Sequence, residues 1–274
     1  MWKKNSVLAG SIAAALALSP AAVADDDDDE DVEIPFDVAE IFFELNNTDG
    51  DLGIHALIDG EPWKRLRIEG VRDRKLLNIF LRSRLRRQGL TELFFESAEP
   101  PFDELAPEDF FARFPEGTYE VEGRTLDGEE LESETELTHA MPAPAEPTVN
   151  GYPLVEICDD EDPEFVEPEP VAGPGEAVII SWPAVTRTHP DLGSPRNSGD
   201  IVIVNYEVVV ETDLEIDGEE FTTVISVIVP PDVRSMTVPA EFLAQSDEFK
   251  YEVLAREESW NQTAVESCFL IDGD

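Results

Sequence analysis

Glu44-Leu45-Asn46-Asn47-Thr48-Asp49-Gly50-Asp51-Leu52-Gly53 lies between two short runs, Val38 to Leu45 and Ile54 to Ile58, that are rich in β-branched and aromatic residues. Runs of this kind, bounded by residues that tolerate tight turns, read as strand, loop, strand. The same grammar recurs downstream. Leu90 to Phe95 reads as a strand, and Thr118 to Gly123 pairs with Glu130 to Thr138 across Leu126-Asp127-Gly128-Glu129, where Asp-Gly favours a tight hairpin. One helix interrupts the strands: Ala106 to Phe114 has Pro107 early, acids in its first turn and apolar residues spaced for one face. In Leu77 to Leu85, apolar residues alternate with Asn78, Phe80, Arg82 and Arg84, the pattern of a half-buried strand that Arg86 extends.

The opening loop gathers oxygen donors. Hard cations such as Ca²⁺ take six to eight oxygens at about 2.3 to 2.6 Å. Glu44, Asn46, Asn47, Asp49 and Asp51 offer carboxylates and amides within one bend, and Asp59 beside Gly60 adds another. Asn47, Asp49 and Asp51 fit the first three positions of a helical calcium loop, but Leu52 stands where that loop needs glycine, so an EF-hand is excluded. Two readings stay open: a calcium turn, and an ordinary hairpin loop in which Asn, Asp and Gly cap their own backbone.

Met1 to Ala24 carries Lys3 and Lys4, an apolar run from Val7 to Leu18 and a small-residue ending, the layout of a secretory signal peptide cleaved after Ala24. The run is shorter than the about 20 residues of a bilayer span, so no membrane insertion is expected. Residues 25–32 form an acidic tail, a like-charge block that repels itself. The remaining length suits two domains, 33–141 and 150–274, joined by a proline-spaced linker over 142–149. A formal net charge of −43 excludes nucleic acid as a natural partner, because binding phosphates needs a Lys/Arg footprint.

The positive charge is unevenly placed, with ten Lys and Arg residues between Lys64 and Arg87. Arg82, Arg84 and Arg86 either pair with the domain's own acids or meet the acidic surface of a neighbouring copy. Trp260, in a polar turn, either stacks on a sugar or anchors a partner protein, or folds back over the sheet edge. Phe42, Phe43, Trp63, Phe94, Phe95, Phe110, Phe111 and Tyr119 sit at strand or helix spacing and read as core. Asn46 and Asn261 stand in glycosylation sequons. Cys158 and Cys268 are the only cysteines, and in an exported chain an even pair implies one disulfide, worth roughly 2 to 4 kcal/mol for so long a loop.

Beyond Ala177 the strands follow regularly: Ala177 to Trp182, Ile201 to Glu211, Phe221 to Val229, Ser235 to Val238, Glu248 to Ala255 and Ala264 to Leu270. In Val178-Ile179-Ile180-Ser181-Trp182, Val204-Asn205-Tyr206-Glu207-Val208 and Tyr251-Glu252-Val253-Leu254-Ala255, this half resembles a fibronectin type III domain. The resemblance implies a β-sandwich with Trp182 and Tyr251 as structural residues. Thr48-Asp49-Gly50-Asp51-Leu52-Gly53 followed by Asp59-Gly60-Glu61-Pro62-Trp63 resembles an uncharacterised secreted bacterial β domain, which implies no activity. The expected fold is all-β: two β-sandwich domains, the second fibronectin type III-like, the first with one short helix.

His55, His139 and His189 are scattered, and neither a phosphate loop nor a zinc-protease motif occurs, so catalysis is not expected. The function expected is a secreted, calcium-binding module that contacts an extracellular protein or polysaccharide. The alternatives are a self-assembling fibre subunit, in which copies of the chain bind each other, and an accessory module of a secreted hydrolase.

Overall fold

The computed structural model describes residues 33–158, 163–173, 175–193 and 199–272. The expected signal peptide and acidic tail lie outside the described residues. β1 (Val38–Asn46) turns back into β2 (Asp51–Gly70), and β2 organises the first half. It is 20 residues long, far beyond the run Ile54 to Ile58, and continues through Asp59-Gly60-Glu61-Pro62. A strand tolerates proline where ladder pairing is already irregular. The register of β2 with a neighbour shifts between Asp59 and Trp63, around that proline.

Four strands use the two edges of β2. Ala56 lies between Ile41 of β1 and Phe95 of β4 (Leu90–Glu96), and Arg65 lies between Phe80 of β3 (Arg74–Phe80) and Arg124 of β5 (Gly117–Thr125). β3 and β4 therefore follow one another down one edge. Between them the chain makes α1 (Ser83–Gln88), which corrects the strand expected over Leu77 to Leu85. Alternation stops at Leu81, because Arg82 and the six residues after it find no core to face and are exposed. α2 (Pro107–Arg113) forms as expected and buries Phe110 and Phe111, which meet Phe43 edge-on. β5 and β6 (Glu130–Leu137) make the expected hairpin. Of the aromatic residues read as core, Phe94 is an exception and faces solvent.

The second half adds β7 (Thr148–Val149), β8 (Ile179–Ser181), β9 (Ile203–Ile216), β10 (Glu219–Val229), β11 (Ser235–Thr237), α3 (Ala240–Leu243), β12 (Glu248–Glu257) and β13 (Gln262–Leu270). A parallel pairing, Glu44 with Gln262 through Asn46 with Ala264, joins β13 to β1. One ten-stranded mixed sheet results, ordered β10-β9-β12-β13-β1-β2-β5-β6, with β3 and β4 on β2. Two apolar cores form: Phe43, Trp63, Leu66 and Tyr119 belong to the first, and Trp182, Tyr206, Val253 and Phe269 to the second. The second core lies where the long sheet meets the small sheet β11-β8-β7, and Trp182 and Tyr251 are buried in it. The stretch 141–147 is packed: Met141 is buried in the first core and Ala145 in the second.

Asn261 locks the seam. Its Oδ1 accepts the Phe43 amide at 2.8 Å, while its Nδ2 donates to the carbonyls of Thr138 and Ala140 at 3.0 and 3.1 Å. The residue is 0% exposed, so this sequon offers no glycan acceptor in the folded state. Cys158 and Cys268 form the expected disulfide, with Cα atoms 5.8 Å apart across a sequence separation of 110 residues.

Candidate functional site: an acidic face of the long sheet

Successive residues of a strand face opposite sides of a sheet. One side of β1, β2, β9, β12 and β13 fills the cores, and the other gathers carboxylates. The registers set Glu96 beside His55, Asn46 beside Asp51, Glu44 between Gly53 and Gln262, and Glu266 beside Glu252. Glu207 and Glu211 flank Val209, the β9 partner of Glu252. Like charges directly opposite one another are unfavourable. Burial, then the charges of Glu44, Glu266, Glu207 and Glu211, push the Glu252 carboxyl up to about 8. Few cations answer these acids: Arg256 reaches Glu207 at 3.9 Å, and its guanidinium lies 5.6 Å from the Phe42 ring. At the end of β9, β12 and β13, a groove of about 990 Å³ is lined by Glu211, Asp213, Glu248, Lys250, Glu252 and Glu266, with Thr48 and Asp49 at its margin.

The Asn46 to Gly53 turn sits at the junction of the two halves. Asn46 Oδ1 caps the amides of Thr48 and Asp49 at 3.0 and 3.2 Å, and its Nδ2 donates to Glu266 at 2.8 Å. Asn47 Oδ1 meets His189 Nε2 at 3.0 Å. Both amide oxygens thus serve the protein's own frame. Asp51 differs: its Oδ1 is out of solvent and accepts no hydrogen bond, and burial, then Glu99, Asp49 and Glu44, hold its carboxyl up at about 6. Glu99 reaches this place because residue 53 is glycine, where a Cβ would stand 1.9 Å from its Oε1. Asp59 is not brought in, since eight residues of extended strand separate it from Asp51 by about 26 Å.

His55 is 4% exposed and lies between two carboxylates, with Nε2 2.8 Å from Glu99 and Nδ1 3.6 Å from Glu44. Burial alone would lower its pKa; the Glu99 hydrogen bond and the charges of Glu44, Glu99 and Glu96 outweigh that and raise it. His55, Glu96 and Glu99 bring ligand-type atoms within 4.8 Å of one another, as do Glu69, Glu120 and Glu122. The second cluster is served by the Arg67 guanidinium, which contacts Glu69 and Glu122.

No family model and no curated protein matches the chain. Solved domains of bacterial adhesins are similar to it. A structure concerned with host cell surface retention of a bacterial ice-binding adhesin aligns at 14% identity and a TM-score of 0.24, covering 88% of this chain and 66% of that one. A tetra-tandem repeat from the extending region of a large adhesion protein aligns at 12% and 0.26, covering 86% and 50%. A Ca²⁺-stabilized adhesin of an Antarctic bacterium aligns at 14% and 0.24, covering 86% and 49%. The chain thus spans about two-thirds of the first and half of the other two. At such scores the functional reading rests on this chain's own geometry.

The remaining expected contact residues lie apart from the acidic face. Arg82, Arg84 and Arg86 are exposed on or beside α1 and make no salt bridge among the described residues. Trp260 is half-buried in the β12–β13 turn with φ of 75°. The sequence reasoning missed His55, Glu99, Glu252 and Glu266 as site residues. Residue types and turn boundaries placed the first and last two on strands, but only the parallel pairing of β1 with β13 aligns them.

Proposed function

We propose that this chain is an exported, non-enzymatic attachment module, its second half of the fibronectin type III kind. It takes up Ca²⁺ at the acidic end of the long sheet and meets an extracellular protein or polysaccharide through its surface. The observation that carries the calcium reading is Asp51, an oxygen withdrawn from water with no donor, pressed by Asp49, Glu44 and Glu99. A cation there would relieve the burial and the mutual repulsion that hold this carboxyl up at about 6. Asp51 would bind the ion and Asp49 and Glu99 would have to turn toward it, because the carboxylates that already converge within 4.8 Å at this corner are Glu96 and Glu99, with His55. The ion would supply charge neutralisation where the two halves share a sheet. Asn46 and Asn47 act as supports of that turn rather than as ligands.

Thermal melting with Ca²⁺ and with chelator tests this. At about 100-fold its dissociation constant a single site adds about 2.7 kcal/mol, which for a chain of this size is a rise in Tm of about 5 to 10 °C. The expected result is that rise in the wild type and its loss in Asp49→Ala plus Asp51→Ala. A wild type indifferent to Ca²⁺ leaves Asn46 to Gly53 as a capped turn and nothing more.

A second reading, a self-assembling subunit, is favoured by α1, whose Arg84, Arg86 and Arg87 are exposed and, with Arg82, unpaired among the described residues of a strongly acidic chain. Contact between these arginines and the acids of another copy would weaken as salt screens it.

A further inference from the structure

β10 is the end strand of the long sheet, paired with β9 over eleven residues from Glu219 with Ile216 to Val229 with Tyr206 and with no other strand. From Phe221 to Val229 it carries no charge, no proline and no glycine, and its register has no irregularity. An unguarded edge of this kind exposes a row of backbone donors and acceptors ready to pair with another strand. The opposite edge is guarded. β6 carries Glu130, Glu132, Glu134 and Glu136, and the Ile34 segment hydrogen-bonds along it, Ile34 N to Glu130 O and Glu132 N to Ile34 O, both 2.9 Å. The β3–β4 edge is interrupted by α1.

We propose that β10 pairs with β10 of a second copy, antiparallel about Ile225, so that the long sheet continues across a two-fold axis. The occupant follows from charge. The chain has a net charge of −43, and a strand docking here from another copy must bring no carboxylates. β10 itself meets that condition from Phe221 to Val229: Phe221 falls opposite Val229, Thr222 opposite Ile228, Thr223 opposite Val227 and Val224 opposite Ser226. Pro230, which lacks an N–H, ends the ladder at either side. The contact is isologous and closes on itself. On the solvent face, Val224 and Ile228, 54% and 59% exposed, would stand opposite Ser226 and Thr222 of the second copy, so that no like charges meet across the ladder.

Sedimentation velocity of the protein over a range of concentrations, in chelator and in high salt, tests the proposal independently of the calcium reading. The expected result is a dimer that salt strengthens by screening the net charge, whereas an arginine-mediated contact would weaken. Val224→Lys plus Ser226→Lys sets lysine opposite lysine at two places on exposed positions; it should leave the monomer folded by circular dichroism and reduce dimer affinity at least tenfold. Mixing Val224→Lys plus Ser226→Lys with Val224→Glu plus Ser226→Glu should restore a heterodimer. A wild type that stays monomeric, a dimer indifferent to the lysines, or a pair that fails to recover on mixing overturns the proposal.

Discussion

Asn261 and Glu252 show how single residues carry opposite signs of stability. The Asn261 amide serves Phe43 on β1 and the carbonyls of Thr138 and Ala140 from a turn between β12 and β13. Asn261→Ala strands these groups out of water at about 1 to 3 kcal/mol each, so a loss of about 3 kcal/mol or more is expected, read as a fall in the urea midpoint. The sequence marked this residue only as a sequon, because nothing local distinguishes an amide that bridges distant segments from one in a solvated turn. Glu252 works the other way. Its pKa is raised to about 8 from 4.5, so the stability it allows is full below about pH 4.5 and is lost as pH rises through about 8. In chelator the Tm should therefore fall from pH 5 to pH 8, and Glu252→Gln should flatten that slope and raise the Tm at pH 8 by several degrees.

Among the elements, β2 and α1 mark where residue pattern sufficed and where it failed. Residue types rich in β-branched side chains located β2 at Ile54 to Ile58, and partners on both edges carry the strand on through Asp59-Gly60-Glu61-Pro62. In Leu77 to Leu85 the alternation is genuine as far as Phe80, and past it the arginines have no facing layer. Their exposure sets an expectation: Arg82→Ala plus Arg84→Ala plus Arg86→Ala should change unfolding free energy by no more than about 0.5 kcal/mol per site in a denaturant titration. A larger loss would mean that α1 packs in a way its exposure denies. The edge strands differ for a chemical reason as well, since four glutamates guard β6 and none lies between Phe221 and Val229 of β10.

At the scale of the whole molecule, the described residues gather two apolar cores, one around Phe43, Trp63 and Tyr119 and the other around Trp182, Tyr206 and Phe269. What joins them is the three-residue parallel ladder of β1 with β13, the packed 141–147 stretch and the disulfide that ties Cys158 to the β13 end of the sheet. The sequence by itself determined the all-β class, most strand positions, the helix at Pro107–Arg113, the hairpin at Asp127-Gly128 and the cysteine pair, because alternation, turn chemistry and redox context are local or compositional signals. Only the tertiary structure decided that one sheet runs through both halves, that Asp51, Glu99 and His55 share a corner with Glu266, and that Asp59 does not. Strand pairing between residues more than 200 positions apart leaves no periodic trace, and it is that pairing which sets carboxylate beside carboxylate.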